Sequence, residues 1–306
     1  MNIALIDMGS NTVLLLIAEI DSKNQTFKTL LNKYESPRLG RGIKTKGNIS
    51  EESINKLMLI LKAYKELIEL NKCSRVICTA TNAMRIAKNA KDIIYKVKDE
   101  FGIEIEVISG DREAELTFLG ASTALDNAFQ KIVLDIGGGS TEVIFGSGSE
   151  IKFKKSFPVG VVSLTEQFIK NDIPSAQELA DLKEFVNQTF KEITDIVPTN
   201  IPLIAVAGTP TSLSAINLGL DKYDDKLVEG SSLPLPKIDS FIEEFSKITS
   251  SEIMNRYGNI LSGREDVILA GSIILKTVAE LTKNTNLIVS GRGIRYGSIM
   301  NLINEL

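Results

Sequence analysis

The chain has 306 residues, a length at which two domains are expected, and its 43% hydrophobic content is that of an ordinary soluble globular protein. Its formal net charge of −4 gives no general attraction for nucleic acid or for an anionic membrane. The longest apolar stretches are about eight residues, whereas a membrane span needs roughly 20. We therefore expect a cytoplasmic protein without nucleic-acid or membrane partners. The amino terminus, interrupted by Asp7, does not have the pattern of a signal peptide.

Histidine is absent from the sequence. This excludes Ser-His-Asp and Cys-His catalysis, zinc sites of the HExxH type and His–Asp metal phosphohydrolase domains. The two cysteines, Cys73 and Cys78, fit no metal-binding spacing and are interpreted as core or surface thiols. Acid–base chemistry must therefore come from carboxylates, tyrosine, lysine or water.

The first predicted element is a β-hairpin at the amino terminus. Apolar residues 3–6 lead to Asp7, a small polar turn follows, and residues 13–18 are apolar again. This pattern predicts two strands joined by a turn, with a carboxylate at the end of the first strand.

A loop and a helix follow. Residues 35–48 contain several glycines and four cations, Arg38, Arg41, Lys44 and Lys46. This loop is interpreted either as a solvated loop or as a rim that faces a polyphosphate. Ser50 has the properties of an N-cap, and the apolar positions after it keep a helical period to about Asn71.

Residues 75–108 predict a β-α-β unit. Residues 75–81 and 103–108 have the composition of strands, and residues 83–101 that of a helix ended by Gly102, so a sheet with parallel pairs is expected. Arg85 lies in the first turn of this helix, beside the loop end of a strand. It is interpreted either as a surface arginine or as a phosphate contact.

The next helix begins near Asp111, which is its predicted cap, and continues to about Leu125. Glu113 has two interpretations. It is either an acid that stabilises the first helical turn through the dipole, or a carboxylate placed at a strand-to-helix corner near an inter-domain cleft. Position alone does not decide between them.

The chain is organised around residues 131–145, which predict a second hairpin whose first strand carries Asp135 at its end. The turn contains three glycines and two hydroxyls: Gly137, Gly138, Gly139, Ser140 and Thr141. Glycines allow φ > 0 and let a ligand approach bare N–H groups, which with the hydroxyls form an anion site suited to phosphate. Asp135 and Glu142 bracket the turn and offer the oxygen ligands that Mg²⁺ prefers.

This hairpin has three other possible interpretations. A P-loop needs a lysine after the glycines, and none follows. A dinucleotide fingerprint needs a third glycine opening a helix, whereas Glu142 occupies that place and a strand-like run follows. An ordinary turn with two surface acids remains open.

The two hairpins repeat each other. Asp7 and Asp135 are 128 positions apart (135 minus 7), close to half the chain, and each follows an apolar strand and precedes a glycine-containing turn. This spacing predicts a duplicated domain with the ligand site between the halves.

The second half continues with a predicted strand at residues 151–158 and a turn at 159–163, in which Gly160 allows close approach. A long amphipathic helix begins at Ser175 and continues to about residue 196. Strand-like residues 201–206 then lead into Gly208 and Thr209, which open a helix. The amino terminus of that helix is interpreted either as an anion site or as an ordinary cap.

The remaining elements complete the expected second domain. Residues 223–236 predict a polar loop followed by two helices, residues 267–281 an apolar helix, and residues 287–289 the last strand. Residues 290–297 then turn into a terminal helix. Their arginines are interpreted as rim contacts or as surface charge.

Taken in order, these segments resemble the exopolyphosphatase/guanosine pentaphosphate phosphatase (Ppx/GppA) family. The segments that carry the resemblance are residues 6–11, 80–85, 109–114, 135–142, 208–209 and 290–297. The implied fold is α/β and actin-like, as in the sugar kinase and heat-shock ATPase superfamily: two duplicated ribonuclease H-like domains with a cleft between them. The expected domains are residues 1–119 with 296–306, and residues 120–295. With about 306 residues and no histidine, the chain resembles the short two-domain form, for which strong processivity on long chains is not expected.

The resemblance implies removal of the terminal phosphate from inorganic polyphosphate or guanosine pentaphosphate, with guanosine tetraphosphate as a related ligand of the stringent response. The implied cofactor is Mg²⁺, for which Mn²⁺ substitutes. Glu113 corresponds to the catalytic glutamate, and Asp135 and Glu142, with Asp7 through water, to the metal-associated acids. The expected phosphate-binding residues are Ser10, Asn11, Arg85, Gly137, Gly138, Gly139, Ser140, Thr141, Gly208 and Thr209. A kinase or ATPase of the same superfamily and a non-catalytic alarmone sensor are the alternatives. A homodimer is compatible with the sequence, which does not fix the oligomeric state.

Overall fold

The computed structural model describes residues 1–124, 129–148 and 150–305. Its strands form two sheets, with orders β3-β2-β1-β4-β5 and β10-β11-β9-β6-β7-β8. They are β1 (Asn2–Met8), β2 (Val13–Asp21), β3 (Thr26–Glu35), β4 (Arg75–Ala80), β5 (Ile105–Val107), β6 (Gln130–Ile136), β7 (Thr141–Ser147), β8 (Glu150–Phe157), β9 (Leu203–Val206), β10 (Ser231–Pro234) and β11 (Asn286–Ser290).

Helices connect and cover these strands. They are α1 (Ile43–Lys46), α2 (Glu51–Leu70), α3 (Asn82–Ile86), α4 (Ala90–Phe101), α5 (Gly110–Ala121), α6 (Val161–Phe168), α7 (Ala176–Phe190), α8 (Gly208–Asn217), α9 (Asp225–Val228), α10 (Leu235–Phe245), α11 (Ser250–Leu261), α12 (Ile268–Leu281) and α13 (Ile294–Glu305). Short 3₁₀ turns extend α5 and α7. Within the described ranges no helix is long and apolar enough to cross a membrane.

The two sheets share one topology, which confirms the predicted duplication. In the first sheet β1 pairs antiparallel with β2 and parallel with β4, and β4 pairs parallel with β5. In the second sheet β6 pairs antiparallel with β7 and parallel with β9, and β9 pairs parallel with β11. The second sheet adds only the edge strand β10. The expected α/β fold with two ribonuclease H-like halves is therefore confirmed.

Two helices near the centre of the molecule each pack on the sheet of the other half. Helix α5 follows the first sheet but packs on the second, where Ala114 and Phe118 contact the face formed by β6, β7 and β9. Helix α13 follows the second sheet but packs on the first, where Ile299 and Leu302 join Leu5 of β1 in one apolar cluster. Residues after the last strand therefore stabilise the first half. The domain bounds at 119/120 and 295/296 stay a prediction.

Glycines allow α5 and α13 to cross in contact. A Cβ at Gly120 would lie 2.4 Å from the carbonyl oxygen of Gly293, and one at Gly297 would lie 1.8 Å from the carbonyl oxygen of Leu116. Neither position has room for a side chain. The two helices are thus held close enough for their first turns to reach the space between the sheets.

Several local predictions were wrong. The helix predicted over residues 83–101 is two helices, α3 and α4, because the backbone of Ala87 is extended and the N–H of Lys88 donates to the carbonyl oxygen of Gly47 instead of to a carbonyl of α3. The cap of α5 is Ser109, whose Oγ accepts the N–H of Arg112, and not Asp111. The predicted end of that helix, Leu125, lies outside the described residues.

Other differences concern loops. Residues 159–163, predicted to be a turn, contain the start of α6, although Gly160 does make the expected close approach. The loop predicted at 35–48 contains α1, and the loop predicted at 223–236 contains α9 and β10. Strand β3 had not been predicted, because it is an edge strand with mostly exposed side chains and so lacks an alternating apolar pattern.

Candidate active site

A cavity of about 880 Å³ lies between the two sheets, where both hairpins end. We call β1, the turn 9–12 and β2 the first hairpin, and β6, the turn 137–140 and β7 the second hairpin. Most of the predicted site residues line this cavity: Asp7, Ser10, Asn11, Glu113, Asp135, Gly137, Gly138, Gly139, Ser140, Gly208 and Thr209. Three others, Arg85, Thr141 and Glu142, lie outside the lining, and their contacts are described below.

The turns of the two hairpins touch each other. A Cβ at Gly138 would lie 2.9 Å from Cβ of Ser10, and one at Gly139 would lie 2.3 Å from Oδ1 of Asn82. None of the three glycines of the second turn has a positive φ, so the backbone does not use the freedom that glycine allows there. Glycine is needed here because two turns and the start of α3 must pack within contact distance. The same contact places the backbones of the two turns side by side along the cavity.

Asp135 and Glu142 form a buried acidic pair, not the surface acids of the alternative interpretation. They are directly opposite each other in the β6–β7 ladder, and Glu142 has no exposed surface. Asp135 Oδ2 accepts a 2.9 Å hydrogen bond from Thr117 Oγ1, and Glu142 Oε1 accepts one of 2.6 Å from Ser156 Oγ. Glu142 Oε2 is buried without a hydrogen-bond partner in the described part of the chain.

Glu113 faces the same pair from the first turn of α5. Its Oε2 lies 2.7 Å from Nη1 of Arg85, which also donates to the carbonyl oxygen of Ile108. Arg85 therefore holds Glu113 rather than lining the cavity, and its predicted phosphate contact stays a prediction. Thr141 likewise uses its hydroxyl internally, donating to the carbonyl oxygen of Val159 at 2.8 Å.

Asp7 occupies the matching position on the first hairpin. It continues the stripe of Ile3 and Leu5 on the face of β1 that α13 covers, because alternate residues of a strand share a face. Its Oδ1 is buried and has no hydrogen-bond partner among the described residues. Arg295, in the first turn of α13, is the charged neighbour that favours its ionised form.

Burial dominates the electrostatics of these carboxylates. Desolvation raises the pKa of Asp7 to about 7, although Arg295 acts in the opposite direction. Desolvation also raises the pKa of Glu113 to about 7 in spite of Arg85, and that of Asp135 to about 6 in spite of the Thr117 hydrogen bond. Burial raises the pKa of Glu142 well above its ordinary value, and the charges of Glu113 and Asp135 add to this effect. The site is therefore short of positive charge.

The donor set is suited to a hard cation. The acids offer only oxygen, and Asp7 Oδ1 and Glu142 Oε2 are buried and unpaired. In the described ranges no three carboxylates are arranged so as to hold a metal ion by themselves. Mg²⁺ commonly binds to one or two carboxylates and takes its other ligands from water and substrate phosphates. The residues present fit such a partial ligand set.

Some residues of the site were not predicted. Thr117 lies four positions after Glu113, so the helical period places both on one face of α5, and this spacing could have been used. Arg295 had been interpreted as a rim or surface arginine, but it is only 7% exposed. Its burial depends on how α13 packs, which has no local signal. Arg264 packs against Gly208 at the start of α8 and lies over the ring of Tyr34.

The cationic loop 35–48 joins the two halves. Arg38 forms ion pairs of 2.8 Å with both Glu265 and Asp266 of the second half. The backbone N–H of Gly42 donates to Glu166 Oε1. None of the four loop cations lines the cavity. For Arg38 the polyphosphate-facing interpretation is therefore not supported, because its guanidinium is used between the halves.

Comparison with known families gives a match over nearly the whole chain. The Ppx/GppA phosphatase family matches residues 16–306. A bifunctional 3-dehydroquinate synthase/phosphatase of Fusobacterium nucleatum is 35% identical over 97% of this chain, which spans only 46% of that protein. Exopolyphosphatase 2 of Mycobacterium tuberculosis is 30% identical over 90% of this chain and 89% of its own length.

Two further comparisons agree with this match. A guanosine-5'-triphosphate,3'-diphosphate pyrophosphatase of Photobacterium profundum is 26% identical over 99% of this chain and 59% of its own length. Among solved structures, the Ppx/GppA family member of Aquifex aeolicus superposes with a TM-score of 0.83 at 34% identity, covering 100% of this chain and 98% of its own. The family resemblance noted from the motifs is thus confirmed.

Proposed function

This chain belongs to the Ppx/GppA phosphatase family, and from this premise we propose that it hydrolyses the terminal phosphoanhydride bond of inorganic polyphosphate, of guanosine pentaphosphate, or of both. The reaction is metal-assisted attack of water. The observation that carries the proposal is the convergence of four buried carboxylates on two touching phosphate hairpins: Asp7, Glu113, Asp135 and Glu142. Exopolyphosphatase 2 of Mycobacterium tuberculosis, similar over 89% of its own length, supports polyphosphate as a substrate, and the guanosine-5'-triphosphate,3'-diphosphate pyrophosphatase of Photobacterium profundum, similar over 59% of its own length, supports guanosine pentaphosphate.

Glu113 is the proposed general base. Phosphoryl transfer depends mainly on positioning and on neutralising charge, with a residue that orients the attacking water. Glu113 is held by Arg85, faces Asp135 and Glu142 and has a pKa raised to about 7 by burial. A base with a pKa near the working pH is well matched to accept a proton from water.

The acidic pair and Asp7 are the proposed residues for Mg²⁺ or Mn²⁺. A bound ion would supply charge neutralisation for the substrate phosphates. The residues Asp135 and Glu142 would contribute carboxylate oxygens, with Asp7 acting through water. The N–H groups of the turns and the side chains of Ser10, Asn11 and Ser140 would bind phosphate oxygens, together with the start of α8 at Gly208 and Thr209.

One side-by-side assay tests the proposal. Purified protein is incubated with inorganic polyphosphate and with guanosine pentaphosphate, with Mg²⁺ and with excess EDTA, and released phosphate is measured. We expect release without ATP or any acceptor, and loss of release in EDTA. Transfer only to an acceptor would instead identify a kinase, and tight guanosine tetraphosphate binding without turnover would identify a sensor. Cytoplasmic location and a homodimer are proposed along with this activity, the latter to be checked by light scattering.

A further inference from the structure

Arg295 is a buried arginine at the cavity whose charge has no ion-pair partner among the described residues. It is 7% exposed and lines the same cavity as both hairpins. Its Nη1 donates a 2.6 Å hydrogen bond to the neutral Oδ1 of Asn32, and no carboxylate in the described ranges lies within ion-pair distance. A buried charge is costly unless it is paired. An anion that enters the cavity would supply the missing partner.

Asn32 fixes the direction of this guanidinium. Its Oδ1 accepts from Arg295, and its Nδ2 donates 2.6 Å to Oδ2 of Asp225 in the second half. Because both ends of the amide are used, the amide cannot rotate without losing a bond. The other nitrogens of Arg295 bond to no described protein atom and are not enclosed, so they are accessible from the cavity.

The duplicated topology gives an independent reason to assign Arg295 to the site. Helices α5 and α13 occupy equivalent places, after β5 and β11, and each packs on the sheet of the other half. The first turn of α5 brings Glu113 to the second hairpin. The first turn of α13 brings Arg295 to the first hairpin, beside Asp7. The two equivalent helix positions thus carry a base, Glu113, beside the second hairpin and a cation, Arg295, beside the first.

The other cations that line the cavity are less suited to this task. Lys33 and Lys222 are exposed, so water already solvates their charges. Arg264 is covered by Tyr34 and packs on Gly208. Arg295 combines burial, a fixed orientation and unused N–H groups. Arginine offers planar pairs of donors that match phosphate oxygens better than a lysine ammonium does.

We propose that Arg295 is a substrate-binding residue that holds a phosphate of the substrate against the first hairpin, while Glu113 acts at the second. This assignment rests on the proposed function, since it presumes a polyphosphorylated substrate. Arg295 contributes to binding of the retained part of the substrate and not to proton transfer. Its removal should therefore raise KM while kcat is largely retained.

The test compares Arg295→Gln with Arg292→Gln, using inorganic tripolyphosphate as the substrate. Arg292 lies three residues earlier in the same motif but contacts Thr123 and Glu229 and does not line the cavity. We expect KM to rise about 10- to 100-fold in Arg295→Gln, the effect of losing a hydrogen bond to a charged group. Arg292→Gln should keep the wild-type KM. Arg295→Lys should give an intermediate KM, because it keeps the charge without the paired donors.

The outcomes separate this inference from the proposed function. An unchanged KM in Arg295→Gln, an equal rise in Arg292→Gln, or a fall in kcat at constant KM would each overturn the assignment while leaving the phosphatase activity intact. A wild-type protein that releases no phosphate from tripolyphosphate, longer polyphosphate or guanosine pentaphosphate would reject both. If Arg295→Gln does not fold, the comparison is made with Arg295→Lys, for which an unchanged KM also overturns the proposal.

Discussion

The two hairpins have the same backbone arrangement but different chemistry. They differ in the residue that pairs with the shared aspartate on the neighbouring strand. In the second hairpin Asp135 is opposite Glu142, whereas in the first hairpin Asp7 is opposite Leu14. The charged residue that the adjoining helix brings to the hairpin also differs, Glu113 for the second hairpin and Arg295 for the first. The duplicated halves therefore differ in charge. The acidic wall consists of Glu113, Asp135 and Glu142, and the mixed wall consists of Asp7 and Arg295. Such asymmetry suits a reaction in which one end of a polyphosphate is cleaved and the other is held.

The largest effect is expected for Glu113→Gln, which removes the base from the acidic wall. Glutamine keeps the size and can still contact Arg85, so we expect a folded protein that binds substrate. Loss of a general base lowers kcat by about 10²- to 10⁴-fold. Steady-state kinetics and a thermal melt of the same sample measure both properties.

Glu115→Gln is the matched control, because Glu115 is two residues further along α5 and pairs with Lys154 and Arg112 at the surface. It should be nearly silent in kcat. Equal and modest losses in the two variants would mean that Glu113 is only an acid of the first helical turn, and the asymmetry between the hairpins would then have no catalytic meaning.

The next effect is expected for Glu142→Leu, which gives the second hairpin the residue that the first one has. We expect the Mg²⁺ concentration for half-maximal activity to rise about 10- to 100-fold, the range seen when residues around a metal are removed. The melting temperature should not fall, because a buried carboxylate with an unpaired oxygen is replaced by an apolar side chain. A Mg²⁺ titration monitors the first result and calorimetry the second.

The reverse comparison uses Asp7→Asn on the first hairpin. Its effect on the Mg²⁺ requirement should be smaller than that of Glu142→Leu if the ion belongs to the second hairpin. A larger effect of Asp7→Asn than of Glu142→Leu would place the metal ion at the first hairpin and contradict the comparison. A metal requirement that neither variant changes would remove both Glu142 and Asp7 from the proposed ligand set.

The two hairpins themselves were predictable because they have local signals. An apolar strand, an acid and a small-residue turn lie within a dozen residues of each other in both halves, and this pattern places Asp7 and Asp135 at the ends of their strands. What could not be predicted depends on distant contacts. At the break before α4 the N–H of Lys88 donates to the carbonyl oxygen of Gly47, which is distant in sequence, and no local pattern indicates that contact.

Arg295 illustrates the same limit at the site itself. In sequence it is one of two arginines in a glycine-rich turn, and both have the same local surroundings. Only the packing of α13 on the first sheet buries one and leaves the other half-exposed. For the three glycines there was likewise no sign in the sequence that they pack against the first hairpin, because contact between two hairpins is not visible in either one alone.

A moderate effect is expected on the pH dependence of stability of the metal-free protein. Asp7, Glu113 and Asp135 have pKa values raised to about 7, 7 and 6 in the folded state, above their ordinary values of 3.8, 4.5 and 3.8. The folded state therefore holds these protons more tightly than the unfolded state. Their contribution to stability is complete below about pH 4 and is lost as the pH rises to about 7.

Thermal melts of the EDTA-treated protein between pH 4.5 and pH 8 should show the melting temperature falling across this range. One unit of pKa shift corresponds to about 1.4 kcal/mol, and the contributions of neighbouring acids do not add independently. Glu113→Gln should flatten the profile. Glu178, whose pKa is lowered to about 2 by hydrogen bonds, loses its stabilising effect only below this range. A melting temperature that rises with pH would contradict the assignment of these acids as buried and uncompensated.

The smallest effect concerns the residue at which the chain passes from a strand to the following helix in each half. In the first half β4 leads to Thr81, which has φ −118°, and in the second half β9 leads to Ala207, which has φ 77° and ψ −170°. This last conformation belongs almost entirely to glycine and costs about 1–3 kcal/mol for other residues. Ala207→Gly should relieve that strain, offset by the greater chain entropy of glycine when unfolded, about 0.4–1 kcal/mol. We expect a net gain of about 1 kcal/mol in the free energy of unfolding, measured by chemical denaturation.

Thr81→Gly, at the equivalent and unstrained position, should instead destabilise the protein. If both variants destabilise to the same extent, the two halves do not differ here, and Ala207 carries no strain that the cavity depends on.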